Sequence, residues 1–177
     1  MDSDVLQWMV EHRVGWLTDA FWVITTIGNT FAMAVLATVT VLVLLRLGRR
    51  TDAVMVAGAM LTGFAAMNLL KLYFSRDRPL IPDRLVDITT HSFPSGHAMM
   101  SAILATTVTA VMLRSTDSWL RNPFVLALPA IASVLIGVSR IYLGAHWTTD
   151  VLAGWIFGVV WGAVAVGITA RNRFAGR

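Results

Sequence analysis

The sequence predicts an all-α protein, a polytopic bundle of transmembrane helices, and three observations support this fold class. First, 56% of the 177 residues are hydrophobic and only 14% are charged, whereas a soluble domain carries about 25% charged residues. Second, five long apolar segments recur along the chain, each close to the roughly 20 residues that a membrane span requires. Third, arginines follow several of these segments directly, which is typical of cytoplasmic loops.

The five predicted core spans follow one another with short connections. They cover residues 30–47, 53–74, 97–113, 123–142 and 147–170. The first two are separated by only a few residues, so we expect an antiparallel helical hairpin. Small residues in the second span suit close helix packing: Gly58, Gly63, Ala65 and Ala66. We predict one membrane-embedded domain over residues 1–177, with 29–170 as the catalytic helix bundle and 171–177 as a basic cytoplasmic tail.

The N-terminal segment, residues 1–28, is apolar on balance but contains several polar residues. These include Glu11, Arg13 and Asp19, and three tryptophans are interspersed with them. Tryptophan is enriched at membrane interfaces, so an amphipathic helix lying in the headgroup zone is one interpretation. A sixth, poorly hydrophobic membrane helix is the other, and we favour the interfacial or partly inserted helix. No basic region precedes the apolar stretch, so no cleavable signal peptide is predicted.

The distribution of cations predicts the orientation of the bundle. Five consecutive spans place eight cations on one side: Arg46, Arg49, Arg50, Arg114, Arg121, Arg171, Arg173 and Arg177. Five lie on the other side, with Arg13 unassigned: Lys71, Arg76, Arg78, Arg84 and Arg140. The positive-inside rule assigns the larger group to the cytoplasmic side of the membrane. We expect this membrane to be the cell (plasma) membrane. The net charge of +4 therefore indicates anionic lipid as a partner rather than nucleic acid.

Three sequence strings contain most of the cations that oppose this bias. Residues 71–79 read KLYFSRDRP, residues 94–97 read PSGH, and residues 139–150 read SRIYLGAHWTTD. They lie at the end of one span, at the start of the next and at the junction of the last two. Helix packing can therefore bring them together at the extracytoplasmic face, although the chain separates them by up to 79 positions (150 − 71).

The cationic and small residues of these strings are suited to binding phosphate. Lys71, Arg78 and Arg140 can neutralise a phosphate group, and arginine can bind it through two parallel hydrogen bonds. Ser95 and Gly96 directly precede a predicted span, so their backbone N–H groups can form the anion site of a helix N-terminus.

The histidines supply the groups that phosphoryl transfer requires. His146 and Asp150 are four residues apart, so we expect them on one face of a helix, where the carboxylate can orient the imidazole. His146 can then attack phosphorus, and His97 can protonate the leaving oxygen. A zinc site formed by the two histidines is an alternative, but three neighbouring cations oppose it. We therefore predict no metal and no cofactor.

The three strings resemble the type 2 phosphatidic acid phosphatase superfamily, whose motifs read K-x6-RP, PSGH and SR-x5-H-x3-D. Every defined position matches, in order, within residues 53–161. The resemblance implies a metal-independent membrane phosphatase with a phosphohistidine intermediate. It implies these roles: phosphate binding by Lys71, Arg78, Ser95, Gly96 and Arg140, and catalysis by His97 as acid, His146 as nucleophile and Asp150 as its partner. The same phosphate cradle occurs in vanadium haloperoxidases, which are large and soluble, whereas this short chain resembles the lipid phosphatases.

Three further residues are candidates for contacts with substrate. Arg76 lies inside the first string, and Arg84 and His91 lie in the loop 80–93. They are close enough to the strings to contact a second phosphate or a headgroup.

The substrate prediction leaves alternatives open. A lipid phosphate or diphosphate is expected, and an isoprenyl diphosphate such as undecaprenyl diphosphate is favoured because the short loops leave no room for a headgroup domain. Phosphatidylglycerophosphate or phosphatidic acid is the second possibility. A transporter of anionic lipid or phosphate is a remote third, because five spans without inverted repeats are poorly suited to transport. The sequence does not predict an oligomeric state.

Overall fold

The computed structural model describes residues 2–80 and 83–175, which form an all-helical bundle. The seven α-helices are α1 (Asp2–Glu11), α2 (Gly15–Ile27), α3 (Thr30–Arg46), α4 (Arg50–Phe74), α5 (Gly96–Leu113), α6 (Pro123–Tyr142) and α7 (Thr148–Ala175). A short 3-10 turn, Ser118–Arg121, precedes α6.

The predicted core spans are confirmed, with one difference at each end of the chain. Helices α4 to α7 are each long and apolar enough to cross a membrane. Helix α3 has 17 residues, about 25 Å at 1.5 Å per residue, which is short for a hydrocarbon core of about 30 Å. It is long and apolar enough to cross a membrane only together with α2, and the two helices are bent by 53° relative to each other. Helix α7 continues to Ala175, into the predicted tail, whose residues 176 and 177 lie outside the described ranges.

The N-terminal segment differs from the single helix expected for residues 1–28. It forms two helices because the chain breaks at Arg13, whose guanidinium donates hydrogen bonds to the carbonyls of Tyr142 and Asp83 at 2.9 and 2.7 Å. Helix α1 packs on α6 and α7, and α2 packs along α6. Arg13, unassigned from the sequence, therefore lies at the same end of the bundle as the three strings.

Helix α5 is the centre of the bundle and packs against α4, α6 and α7. Its closest partner is α7, because glycines on α7 face it. A Cβ atom at Gly158 would lie 2.5 Å from the Met99 carbonyl oxygen and 2.7 Å from the Ala102 Cβ. The small residues expected to pack on α4 behave differently from one another. Gly63 contacts Ile103, whereas no atom lies within 4 Å of a Cβ at Gly58.

An ionic cluster fixes the opposite end of the bundle. Asp52 is 1% exposed and pairs with Arg49 at 2.8 Å and Arg114 at 3.0 Å. The two arginines also donate to the carbonyls of Val111 and Val166. Since a buried charge is tolerated only when it is paired, this cluster joins the ends of α4, α5 and α7.

The outer surface of the helices is apolar. Phe31 and Phe124 are 79% and 83% exposed, and exposed leucine and valine side chains continue along the spans. Such a surface is suited to hydrocarbon rather than water. The chain is a multi-pass membrane protein.

Candidate active site

The three strings converge at one end of the bundle around a cavity of about 510 Å³. The polar residues that line it include Lys71, Arg78, Gly96, His97, Arg140 and His146. They come from α4, α5, α6 and the loops that follow α4 and α6. The structure thus brings together residues that the sequence separates by as many as 75 positions (146 − 71).

The N-terminus of α5 faces this cavity, as predicted, but Ser95 contributes differently. Helix α5 begins at Gly96 with Ser95 as its N-cap. The Ser95 backbone N–H donates to the Asp150 carbonyl at 3.0 Å, so this N–H group is already occupied. The buried Ser95 hydroxyl oxygen, in contrast, has no hydrogen-bond partner among the described residues. The hydroxyl and the free N–H groups of the first turn of α5 are therefore the groups available to an anion.

His146 and Asp150 do not share a helix face, and this corrects the expectation from their spacing. Helix α7 begins at Thr148, so His146 precedes it in a turn. Gly144 adopts φ +69°, and a Cβ atom there would lie 2.1 Å from the Asp83 carbonyl oxygen. Only glycine fits this left-handed position after a helix C-terminus. The turn brings the His146 N–H group back to the Arg140 carbonyl at 3.2 Å.

The two ring nitrogens of His146 have different neighbours. Nε2 lies 3.1 Å from an Arg78 guanidinium nitrogen. Nδ1 lies 3.5 Å from the Asp150 carboxylate and 3.4 Å from the Ser92 hydroxyl. Ser92 also donates to the same Asp150 oxygen at 2.5 Å. Nδ1 is therefore directed at a carboxylate and a hydroxyl, while Nε2 is directed at the cationic cavity.

The environment of His146 keeps its imidazole neutral. Burial lowers its pKa well below the usual value of 6.5, and the charges of Arg78, Arg140 and Lys71 lower it further. Burial also lowers the pKa of Arg78 to about 10, although Asp150 acts in the opposite direction. Arg78 thus stays charged at neutral pH, while the neutral His146 keeps a lone pair on Nε2 that faces Arg78.

Two buried cations complete the cavity wall. Arg140 is 3% exposed and donates to the Thr25 hydroxyl of α2 at 2.5 Å, while its Nε group has no partner within the ranges that the structure describes. Lys71 donates to the His91 carbonyl at 2.7 Å. An unpaired buried donor costs about 1–3 kcal/mol, and a bound anion would supply the missing acceptor.

The three further candidates for substrate contact lie beside the main cavity. Arg76, Arg84 and His91 line a second pocket of about 410 Å³ in the loop that joins α4 and α5; residues 81 and 82 of this loop lie outside the described ranges. Arg76 donates to Asp150 at 2.6 Å, and the exposed His91 contributes its carbonyl to Lys71. Arg78 lines both pockets.

Sequence reasoning missed four residues at this site. Ser92 contacts Asp150 and His146, Thr25 holds Arg140, Gly144 forms the turn, and Asp2 binds Arg76. A glycine soon after a predicted helix end signals the turn. The other three residues are joined to their partners only by tertiary packing.

Metal ligands are sparse in the part of the chain that the structure describes. There, no group of three or more His, Cys, Asp or Glu side chains is arranged to hold a metal ion. Metal independence remains a prediction that a chelator tests directly.

Three curated relatives are named as phosphatases. Phosphatidylglycerophosphatase B of Bacillus subtilis is 33% identical over 93 residues, covering 52% of this chain and 45% of the relative. Undecaprenyl-diphosphatase of Sulfolobus acidocaldarius is 39% identical over 70 residues, covering 40% and 30%. Decaprenylphosphoryl-5-phosphoribose phosphatase of Mycobacterium tuberculosis is 31% identical over 158 residues, covering 87% and 71%. The chain therefore spans less than half of the first two relatives.

A solved structure and a family model agree with these relatives. The crystal structure described as the first transmembrane PAP2 type phosphatidylglycerolphosphate phosphatase, from Bacillus subtilis, superposes with a TM-score of 0.88 at 25% identity, over 96% of this chain and 85% of that one. The model of the PAP2 superfamily matches residues 52–174, which include all three strings. The chain belongs to the PAP2 superfamily.

Proposed function

We propose that this protein is a lipid phosphatase that hydrolyses a lipid phosphate or diphosphate without a metal, through a phosphohistidine at His146. Lys71, Arg78, Ser95, Gly96 and Arg140 bind the phosphate, His97 is the acid and Asp150 supports His146. One observation carries the proposal: the cationic cavity that contains a neutral His146 shares two lining residues with an apolar groove between the helices.

The apolar groove lies between α3 and α4 and has a volume of about 400 Å³. Thr30 and Phe64 line both the groove and the cationic cavity. Met33, Ala37 and Met60 continue its wall along the helices. A substrate with a phosphate head and a hydrocarbon tail matches this sequence of surfaces, whereas a water-soluble phosphate ester would leave the groove unused.

The first half of the reaction transfers the phosphoryl group to His146. Nδ1 keeps its proton and directs it at Asp150, so Nε2 carries the lone pair that attacks phosphorus. The bond from phosphorus to the leaving oxygen breaks, and His97 gives its proton to that oxygen, which is the lipid oxygen of a monophosphate or the bridging oxygen of a diphosphate. The cations stabilise the charge that develops on the phosphoryl oxygens.

The second half hydrolyses the phosphohistidine. A water molecule gives a proton to His97 and attacks phosphorus, and the bond to Nε2 breaks. Inorganic phosphate leaves and both histidines return to their starting states. The pocket lined by Arg76, Arg84 and His91 gives a cationic route for phosphate towards water.

The active site is proposed to face the extracytoplasmic side. Arginines cluster at the opposite end of the bundle, where Arg49 and Arg114 bind Asp52. Phosphate binding explains why cations lie at the cavity end, although the positive-inside rule disfavours cations on the extracytoplasmic side.

An isoprenyl diphosphate such as undecaprenyl diphosphate is the substrate that we favour. Two of the relatives carry names with a polyprenyl substrate, and one of them matches 87% of this chain. The second basic pocket is also placed to bind another phosphate. A glycerophospholipid phosphate is the alternative, supported by the named Bacillus subtilis relative and by the similar crystal structure.

A substrate panel tests the proposal and separates its alternatives. The purified protein is assayed in EDTA with undecaprenyl diphosphate, phosphatidylglycerophosphate and phosphatidic acid, and His146→Ala serves as the inactive control. We expect phosphate release that EDTA does not abolish, fastest with the diphosphate. Faster release from phosphatidylglycerophosphate selects the alternative substrate. Release that needs added zinc or magnesium would contradict the mechanism, and absence of release from every lipid would favour a transporter.

A further inference from the structure

The N-terminal helix places a carboxylate behind the catalytic aspartate. Asp2, in the first turn of α1, accepts hydrogen bonds from the Thr149 N–H group at 3.0 Å and the Thr149 hydroxyl at 2.5 Å. It also pairs with Arg76 at 2.8 Å. Asp2 lies outside the region that the family model matches, residues 52–174.

Arg76 connects this carboxylate to the catalytic one. Its Nη1 atom lies 2.6 Å from Oδ1 of Asp150, and its Nη2 atom lies 2.8 Å from Asp2. The Asp150 side chain is fully buried, so a charge in contact with it acts through a low local dielectric. The other oxygen of Asp150, Oδ2, faces Ser92 and His146.

A cation on Oδ1 has opposite effects on the function of Asp150. It fixes the carboxylate in place, but it also withdraws charge from the group that must stabilise the imidazole of His146. A second carboxylate on the same cation offsets that withdrawal. Asp2, Arg76 and Asp150 together carry a net charge of −1, whereas Arg76 and Asp150 alone would be neutral.

We propose that Asp2 is a positioning residue, which balances the charge of Arg76 and so keeps Asp150 effective as the partner of His146. The proposal rests on the phosphatase function proposed above. It assigns to α1 a role in the rate of phosphoryl transfer, although α1 does not line the cavity.

The ionisation of this chain of groups supports the same view. Burial acts to raise the pKa of Asp2, but hydrogen bonds from Thr149 and Arg76 outweigh it, so the pKa is lowered. Burial acts to lower the pKa of Arg76, but Asp2 and Asp150 raise it. Both groups are therefore charged at neutral pH. The charged and titratable groups around His146 are Lys71 of α4, Arg76, Arg78 and Asp87 of the following loop, His97 of α5, Arg140 of α6 and Asp150 of α7.

A structural role for Asp2 makes a different prediction. The carboxylate also binds an N–H group in the first turn of α7, where a side-chain oxygen stabilises a helix N-terminus. Asp2→Asn keeps one oxygen for that N–H group and removes the charge. Asp2→Glu keeps the charge on a longer side chain. The two variants therefore separate a tether from an electrostatic function.

The kinetic test compares these variants with a matched control on the same helix. Asp4→Asn makes the same change at an exposed position two residues away. We expect Asp2→Asn to lower kcat about tenfold with KM changed by less than about twofold, because Asp2 itself lines neither basic pocket. Asp2→Glu should recover part of the loss, and Asp4→Asn should resemble the wild type. Wild-type kcat in Asp2→Asn, or equal losses in the two asparagine variants, would overturn the proposal.

A second measurement does not depend on turnover. The chain has only four histidines, so the Nδ1–H resonance of His146 can be assigned by ¹⁵N labelling and comparison with His146→Gln. We expect this resonance to move in Asp2→Asn and to stay in place in Asp4→Asn. An unchanged resonance in both variants would contradict the proposed coupling of Asp2 to His146 through Arg76 and Asp150. If the wild-type protein is inactive but the His146 resonance still moves in Asp2→Asn, the phosphatase function is contradicted and the coupling of Asp2 to His146 stands.

Discussion

At the scale of single residues, the proposed mechanism assigns different roles to two imidazoles, one that attacks and one that donates a proton. His146 is buried against three cations and a carboxylate, which suits a neutral nucleophile. His97 lies at the start of α5 and lines the same cavity, which suits contact with the leaving oxygen. The two histidines should therefore respond differently to substitution.

The leaving group reveals that difference. General acid catalysis contributes about 10²–10⁴-fold and matters most for a poor leaving group such as a lipid alkoxide. His97→Ala should therefore lose that factor on a lipid alcohol phosphate, less on a lipid diphosphate and least on p-nitrophenyl phosphate. Rates with the three substrates measure this difference. Lys71 is a proposed phosphate ligand, so Lys71→Ala should lose activity equally on all three substrates. Equal losses for His97→Ala would leave His97 as another ligand.

Protonation of His146 should also limit stability at low pH. Its pKa is lowered in the folded protein, so below about pH 6.5 the unfolded chain binds a proton that the folded chain does not. The stability present above pH 6.5 is thus lost as the pH falls. We expect the melting temperature in detergent to fall between pH 7 and pH 5, and to fall less in His146→Gln. Parallel curves for the two proteins would contradict the buried, neutral imidazole.

The sequence could predict the residues of the three strings but not all of their geometry. Lys71, Arg78 and Arg140 reach one cavity, as the strings required. Ser92 and Asp2 act on Asp150 across 58 and 148 positions (150 − 92 and 150 − 2). No local pattern encodes such a contact, because it depends on how α1 and the loop before α5 pack against α7.

At the scale of helices, the site depends on the close approach of α5 and α7. Helix α5 carries His97 and α7 carries Asp150, so the separation of these helices sets the distance between the proposed proton donor and the proposed partner of His146. Glycines of α7 allow this approach, as small residues commonly do between membrane helices.

Substitution of one of these glycines should therefore damage both stability and catalysis. A side chain at Gly158 would meet the Met99 carbonyl oxygen at 2.5 Å, and overpacking of this kind costs about 1–3 kcal/mol. We expect Gly158→Leu to lower the melting temperature and kcat. Gly167→Leu is the control on the same helix, because a Cβ atom there has no neighbour within 4 Å. Equal melting temperatures and equal kcat values for Gly158→Leu and Gly167→Leu would contradict the claim that the site depends on the close approach of α5 and α7.

Helix positions were more predictable than the break near the N-terminus. Length and apolar composition sufficed for α4 to α7, because a membrane span must satisfy both. The break between α1 and α2 depends on Arg13 and on two carbonyls, of Tyr142 and Asp83. Those partners are 129 and 70 residues away, so composition alone could not predict the break at Arg13.

At the scale of the whole molecule, the two ends of the bundle differ in the use of charge. At the cavity end the cations face the proposed phosphate site, whereas at the other end Arg49 and Arg114 neutralise Asp52. Arg13 joins the cavity end, which makes the predicted distribution eight cations against six. The imbalance still favours a cytoplasmic location for the end that contains Asp52.

Cysteine labelling tests this orientation, because the chain has no native cysteine. Thr89→Cys lies in the exposed loop between α4 and α5, and Thr116→Cys lies in the exposed turn between α5 and α6. In intact cells an impermeant maleimide should label the Thr89→Cys variant but not the Thr116→Cys variant. Both variants should react after lysis. Labelling of position 116 alone in intact cells would reverse the topology.

The central claim is that the phosphoryl group passes through His146, and trapping that intermediate is its most direct test. Purified protein in EDTA is mixed with undecaprenyl diphosphate that carries ³²P in the terminal phosphate and is quenched within milliseconds. We predict label on the protein that is stable to base, labile to acid, located at residue 146 and absent from His146→Ala. Turnover of the same substrate without any labelled protein, or label that persists in His146→Ala, would contradict the account.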